Sequence, residues 1–358
     1  MSAIRTARAG EIALLNQARD GDESAFGALA GPYQAELRAH CYRMLGSLHD
    51  AEDALQDGLL RAWRGLTGFE ARGSVRSWFY AVVTSAALDL ARRRARREIP
   101  VDFGPGAQPG ASLDAPLADP AWLEPYPDRW LPDDPGRSPE ARYEQRESVE
   151  LAFVAALAHL PPLQRAVLLL REVVGFSAAE IAVQLGTSTE SVTSALQRAR
   201  ATVRTRLPAR SQQSTLRQLG DQHTRALVER YADAIERGDA HTLVSMLTED
   251  ATWCMPPIPT WFGGHEAIRA FLVRYPLAER WRHLPARANG QLAVGCYLLD
   301  GARGRYPAAV IDVLTLRGGK IAAVTGFQVD GLLEPPRPGA GLTGGELFAR
   351  FGLPAELG

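Results

Sequence analysis

The chain has 358 residues, 46% of them hydrophobic and 23% charged, and a formal net charge of −1. That length exceeds one ordinary core and predicts two or three domains, while the near-zero charge excludes a globally basic nucleic-acid binder. Cys41, Cys254 and Cys296 fit neither zinc nor disulfide spacing, no secretory leader opens the sequence, and no window nears the roughly 18 apolar residues of a membrane span. A soluble cytoplasmic protein without membrane contact is expected.

Residues 11–98 read as helices. In HDAEDALQDGLLRAW, His49 to Trp63, and just beyond it, Leu55, Leu59, Ala62, Trp63 and Leu66 form an apolar face. Asp50, Asp53, Asp57 and Arg64 fall opposite. Ser47 can cap this helix and first-turn acids favour its dipole, so a solvated face explains the acids as well as a protein partner does. In the next helix, WFYAVVTSAALDLARRRARRE, Phe79, Val82, Val83, Ala86 and Leu90 make a buried stripe. Trp78, Ser85 and Arg92 share an exposed flank, followed by Arg93, Arg94, Arg96 and Arg97. Aromatics beside clustered Arg suit unstacked bases and a phosphate backbone, although a lone Trp on a helix is more often core.

Residues 99–139 are rich in Pro, Gly and Asp and have no apolar period, which predicts a linker. The aromatics of WLEPYPDRWLP place parts of it on a surface. Helical periodicity returns over 140–208. There GFSAAEIAVQLGTSTESVTSALQRARATV spells a helix-turn-helix: a short helix over Ala178–Leu185, a turn at Gly186, and hydroxyl caps at Thr187–Thr189. The second helix sets Val192, Leu196, Ala199 and Val203 at core spacing. Ser188, Thr189, Glu190, Ser191, Ser194 and Gln197 supply small and hydrogen-bonding groups for the major groove, and Arg198 and Arg200 follow for phosphates.

The segment 218–333 changes character. A helix through YADAIERGD leads into the β-like runs ATWCM, LAVGCYLL, AAVIDVLTL and KIAAVTGFQV, and LRGGK reads as a hairpin turn. HEAIRAFLVRY interrupts them as a helix. Trp253, Met255, Trp261, Phe262, His265, Trp281 and Phe327 either line a pocket or fill a core. Asp250, His265, His283 and Asp312 are the acid–base candidates, but no pair has diagnostic spacing, so no enzyme and no cofactor or metal is expected. Residues 334–358 read as a tail whose ELFARFGLP can dock.

Three stretches in this order, DAEDALQDGLLRAW, GSVRSWFYAVVTSAALDLARRR and LPPLQRAVLLLREVVGFSAAEIAVQLGTSTESVTSALQRAR, resemble bacterial sigma factors of the extracytoplasmic-function (ECF) group. The resemblance implies a region 2 domain over 11–98 that binds core RNA polymerase and the −10 promoter element. It implies a region 4 domain over 140–208 that reads the −35 element. Asp50, Glu52, Asp53, Gln56 and Asp57 would contact the polymerase β′ clamp helices. The loop Glu70 to Ser77 and the helix Trp78 to Arg97 would capture the −10 strand, through Arg76, Trp78, Ser85, Arg92, Arg93 and Arg96. Ser85 stands where the family often has Asn, which puts the −10 base preference in doubt.

The segment 218–333 resembles the SnoaL-like branch of the nuclear-transport-factor-like fold, and WLEPYPD and FGLP resemble hallmarks of sigma factors carrying such a tail. The implied fold is multidomain: two all-α sigma domains, a helical bundle and a helix-turn-helix, then an α+β cone with a curved mixed sheet. The implied partners are the β′ and β subunits of polymerase, promoter DNA and an unknown small-molecule ligand, with the tail tuning activity in place of a separate anti-sigma partner. Two rivals remain: a helix-turn-helix regulator of duplex DNA, and a pocket enzyme fused to a DNA-binding sensor.

Overall fold

The computed structural model describes residues 2–69, 74–117, 122–132, 138–329 and 343–358, with side chains from residue 10 onward except at 139. The −10 loop residues 70–73 and the tail residues 334–342 therefore lie outside the described residues. In chain order the helices are α1 Ser2–Arg19, α2 Glu23–Ala30, α3 Gln34–Leu45, α4 Leu48–Gly65, α5 Val75–Arg93, α6 Pro100–Phe103, α7 Pro139–Glu147 and α8 Leu151–Ala158. They continue with α9 Pro162–Leu168, α10 Ala178–Leu185, α11 Thr189–Arg204, α12 Gln212–Glu236, α13 Ala240–Ser245, α14 Gly264–Arg274 and α15 Gly344–Arg350. The strands are β1 Leu247–Met255, β2 Ile258–Gly263, β3 Trp281–Ala288, β4 Gln291–Leu298, β5 Tyr306–Arg317, β6 Lys320–Gln328 and β7 Glu356–Leu357.

The chain forms two compact units, Met1–Arg94 with Leu160–Thr205, and Ala95–His159 with Arg206–Gly358. The segment 140–208 thus contributes to both, since α7 and α8 belong to the second unit and α9 to α11 belong to the first.

In the first unit α3, α4 and α5 bury Leu37, Tyr42, Met44, Leu48, Leu55, Phe79 and Val83. The α4–α5 approach is close enough that a Cβ on Gly58 would sit 2.7 Å from Val83 Cγ2 and 2.9 Å from Val83 Cα. Ser47 accepts from the Asp50 N–H and caps α4, as its position predicts. The helix α5 stops at Arg93, four residues short of the expected end at Arg97, because Arg94 already has extended backbone.

The second unit is built on one sheet of order β2-β1-β6-β5-β4-β3, with β1 and β6 parallel and the other neighbours antiparallel; β7 adds to the start of β5. Bulges at Cys254/Met255, Cys296/Tyr297 and Thr315/Leu316 bend it. Helices α12, α13 and α14 cover one face, where Tyr231, Leu243, Ile268 and Phe271 pack on Trp253, Val294, Leu314 and Val324. The other face receives α15: Phe348 is fully buried against Tyr297, and Tyr297 Oη donates to the Pro354 carbonyl at 3.0 Å. The FGLP segment thus docks. Gly318 and Gly319, both at positive φ, make the two-residue β5–β6 turn that LRGGK predicts.

The described stretches of the segment 99–139 are strapped onto the sheet of this unit. Trp261 Nε1 donates to the Gly104 carbonyl at 2.8 Å, Ala107 N donates to the Trp261 carbonyl at 2.8 Å, and Leu117 N donates to the Pro257 carbonyl at 3.1 Å. Arg274 Nη1 donates to the Gly110 carbonyl at 2.8 Å, and Asp114 and Thr260 bond reciprocally. Farther along, the β3–β4 turn residue Asn289, at φ 55°, accepts from Tyr126 N and donates to the Val149 carbonyl, both at 2.8 Å. Gly290 N donates to Asp128 Oδ1, and Glu150 accepts from the Gln212 and Gln213 N–H groups at the start of α12.

Candidate nucleic-acid interface

The helix-turn-helix is assembled by its caps. Ser177 and Glu180 form a reciprocal capping box at the start of α10. Gly186 ends that helix in the left-handed region, at φ 61° and ψ 41°. Ser188 is the cap of α11 and accepts from the Ser191 N–H at 3.2 Å. Val192, Leu196, Ala199 and Val203 are buried, as their spacing requires, and they turn the opposite face of α11 outward. All of Ser188, Thr189, Glu190, Ser191, Ser194, Gln197, Arg198 and Arg200 are exposed. Arg200 is nonetheless engaged, in an ion pair with Glu172.

The −10 candidates do not share one surface. Ser85, Arg92 and Arg93 are exposed on α5, while Trp78 is half-buried against Phe69 and Phe79, with ring centroids 4.9 and 5.1 Å away. Arg76 is held inside the first unit. Its guanidinium meets both carboxylate oxygens of Glu36 at 2.8 and 2.9 Å and lies 5.0 Å from the Tyr80 ring. Arg96 lies past the end of α5, in the second unit, where it pairs with Glu98; its neighbour Arg97 donates to the Trp122 carbonyl.

Along α4, Asp53, Gln56 and Asp57 are exposed and Glu52 is half-buried. Asp53 sits 3.5 Å from His49, and Asp57 pairs with Arg61 at 2.7 Å, which also pairs with Asp89. Asp50 departs from the outward face drawn for it: it is only 2% exposed and lies 3.4 Å from Arg94. It sits four residues before Ala54 and three before Asp53, on the edge of the helix that α5 closes over. Beside the exposed acids, Phe26, Leu55, Leu59, Leu60 and Trp63 line a cavity of about 530 Å³ that Glu52 and Gln56 also border.

The seven residues expected to line a pocket or fill a core in the second unit separate. Trp253, Met255 and Phe262 belong to the buried core under α12 and α14, and Trp281 packs against it. Trp261 pairs in register with Cys254 rather than Trp253 and turns outward onto the strap. Phe327 pairs with Ile311, one residue out of phase with Asp312, and lies outside that core. His265 is on α14. Of the acid–base candidates, Asp250 is on the surface with Arg317, whereas His283 is held by Glu236 and Asp312 by Tyr231, both from α12. Burial raises Asp312 to about 6 and lowers His283.

A model of sigma-70 region 2 matches residues 29–97, sigma-70 region 4 matches residues 150–203, and a SnoaL-like domain matches residues 228–324. The ECF RNA polymerase sigma factor SigG of Mycobacterium tuberculosis is 39% identical over 343 residues, covering 95% of this chain and 86% of SigG. The chain belongs to the ECF sigma factors. SigJ of the same organism is 28% identical over 314 residues, covering 80% of this sigma factor and 88% of SigJ. The crystal structure of SigJ shares the fold, with a TM-score of 0.53 at 23% identity, covering 86% of this chain and 96% of that one. Among the described residues of the sigma factor, no helix is long and apolar enough to cross a membrane.

The residues that hold the strap escaped the sequence reading, as did β2 and β3. The Asn289–Gly290 dipeptide was the available signal, since Asn-Gly between alternating runs marks a two-residue hairpin. No comparable signal marks Glu150 or Gln212, whose partners are distant in sequence.

Proposed function

We propose that this sigma factor binds core RNA polymerase through the exposed part of α4, meets the −10 strand with α5 and reads the −35 duplex with α11. The observation that carries this reading is the face of α11, where every candidate base or phosphate contact is exposed above a buried stripe. On α4 the contact set is Glu52, Asp53, Gln56 and Asp57, with the adjoining apolar cavity offering a seat for a nonpolar side chain of a basic helix. Asp50 is assigned to holding Arg94 at the end of α5. On α5, Ser85, Arg92 and Arg93 are the accessible −10 contacts, and Trp78 offers part of its ring.

The role of the C-terminal domain in this reading is regulatory and carries no catalytic step. Its support is the strap: the described parts of the segment that joins the two promoter readers in sequence are hydrogen-bonded to the α+β domain at Gly104, Ala107, Gly110, Leu117 and Tyr126, so that domain controls how much linker is available. No ligand is required for this.

Run-off transcription with bacterial core polymerase and a pool of promoter regions tests both parts. The full chain is compared with Asp53→Arg and with a chain ending at Arg210. Initiation by the full chain, lost in the charge reversal with the fold intact, is expected. Absence of initiation across the pool would overturn the reading in favour of a duplex-DNA regulator, and equal rates for the full and shortened chains would remove the tuning role.

A further inference from the structure

An acid stands in the middle of the helix face assigned to the −10 strand. Ser85, Asp89 and Arg92 follow one another at spacings of four and three along α5, which sets them on one face. An unmasked carboxylate there would repel the phosphate backbone and claim Arg92 for itself. Arg92 Nη1 already lies 3.4 Å from Asp89 Oδ1, and Arg93 Nε donates to the Asp89 carbonyl at 3.2 Å. The stronger hold on the carboxylate comes from the neighbouring helix. Arg61 of α4 donates through Nη1 to Asp89 Oδ2 at 2.8 Å, and its Nη2 lies 2.7 Å from Asp57 Oδ2.

One guanidinium thus joins an acid of the polymerase contact set to the acid between the −10 contacts. Asp57, Arg61, Asp89 and Arg92 alternate in sign, with side chains 52, 35, 33 and 62% exposed. Pairs this exposed are individually weak, so their partners exchange easily and no rigid linkage is required. A basic side chain brought to Asp57 competes for that carboxylate and repels Arg61, which leaves Arg61 to Asp89. Asp89 then draws less on Arg92, and Arg92 can turn to a phosphate.

We infer that Arg61 is a positioning residue for −10 capture: it masks Asp89, and a polymerase cation at Asp57 tightens that mask and releases Arg92 to the strand. The inference rests on the assignments of α4 and α5 made above. Coupling of this kind is reciprocal, so a strand held by Arg92 strengthens polymerase binding by the same factor. Exposed pairs set its size at about two- to fivefold, and salt should screen it.

The test is a double-mutant cycle in holoenzyme assembled from the full chain and bacterial core polymerase. The probe is a fork-junction DNA, single-stranded across the −10 region, built on a promoter that the run-off pool returns. Arg61→Gln is expected to lower the affinity of holoenzyme for the fork about two- to fivefold. The same change made in Asp89→Asn should cost less than about 1.5-fold, since no carboxylate remains to be masked. Equal losses in both backgrounds would mean a general effect of charge and overturn the inference, as would unchanged affinity in Arg61→Gln. The sigma reading stands in either case. Asp89→Asn alone is expected to raise affinity, and a fall would also overturn the mask. The link to Asp57 is read in the free chain, with a single strand of the same −10 sequence. Asp57→Asn should raise its affinity about twofold over Asp53→Asn, which makes the same charge change beside His49. Equal effects of the two would sever the link. If the natural chain gives no run-off transcript from any promoter, the sigma reading fails and this inference with it.

Discussion

Tyr231 Oη donates to Asp312 Oδ2 at 2.8 Å inside the α+β core, and Cys296 Sγ lies 3.4 Å from the same oxygen. The carboxyl is thereby kept in an apolar interior, and burial lifts it to about 6 from an ordinary 3.8. A carboxyl raised on folding adds stability that is complete below about pH 3.8 and is lost as pH rises through about 6. Asp312 alone should therefore lower the stability of this unit by roughly 2 kcal/mol between pH 4 and 7. Asp312→Asn should remove that part of the pH dependence, measured by urea titration at each pH. Asp128 and Glu150, raised by burial to about 6 and about 7, act in the same direction, so part of the slope should persist. An unchanged slope in Asp312→Asn would show that the carboxyl is not the source.

The Gly58–Val83 approach makes a prediction of opposite sign to helix propensity. Ala exceeds Gly in a helix by about 1 kcal/mol. A methyl group at 58 would sit 2.7 Å from Val83 Cγ2 and 2.9 Å from its Cα, and backbone cannot swing away. Gly58→Ala should destabilise the first unit by about 1–3 kcal/mol in denaturant titration. Gly65→Ala at the end of the same helix, with nothing within 4 Å, should be neutral or stabilising.

On α11, base and phosphate contacts should separate by salt. Arg198→Ala should weaken promoter binding about equally for all −35 sequences and reduce the salt slope by about 1. Gln197→Ala should relax discrimination at one −35 position, by about 1–3 kcal/mol, with the salt slope unchanged. Fluorescence anisotropy over a salt series on matched and single-mismatch duplexes distinguishes them. The same loss of slope in both variants would mean that Gln197 does not face a base.

Loosening the strap should be visible without polymerase. Trp261→Phe removes both the bond to the Gly104 carbonyl and the far edge of the indole that lies over Gly106. Cleavage of the 104–117 segment in limited proteolysis should accelerate, with a stability cost of about 1–3 kcal/mol from the lost hydrogen bond and contact. Asn289→Ala, which loses two buried bonds at a left-handed position, should cost more and free the region around Tyr126. Cleavage rates that stay at the natural value would place the strap's strength elsewhere.

Local rules made much of this sigma factor legible. The helix-turn-helix was readable because its caps, its turn glycine and its buried stripe all lie within the 28 residues from Ser177 to Arg204, where periodicity and capping determine structure. The α4 cap and the Gly318–Gly319 turn are of the same kind. Asp50 shows the limit: helix spacing placed it outward with Asp53 and Asp57, but the packing of α5 buried it against Arg94. The five-arginine run also divided, because α5 ends at Arg93 and Arg96 folds into the other unit. The linker's composition forecast neither the short helix α6 nor the hydrogen bonds to Trp261, Arg274 and Asn289, more than a hundred residues away. Periodicity and capping are written within a few turns of chain. Which outward faces stay free, and which polar groups find distant partners, is decided only when the elements pack, because burial requires every polar group to be satisfied by whatever lies beside it.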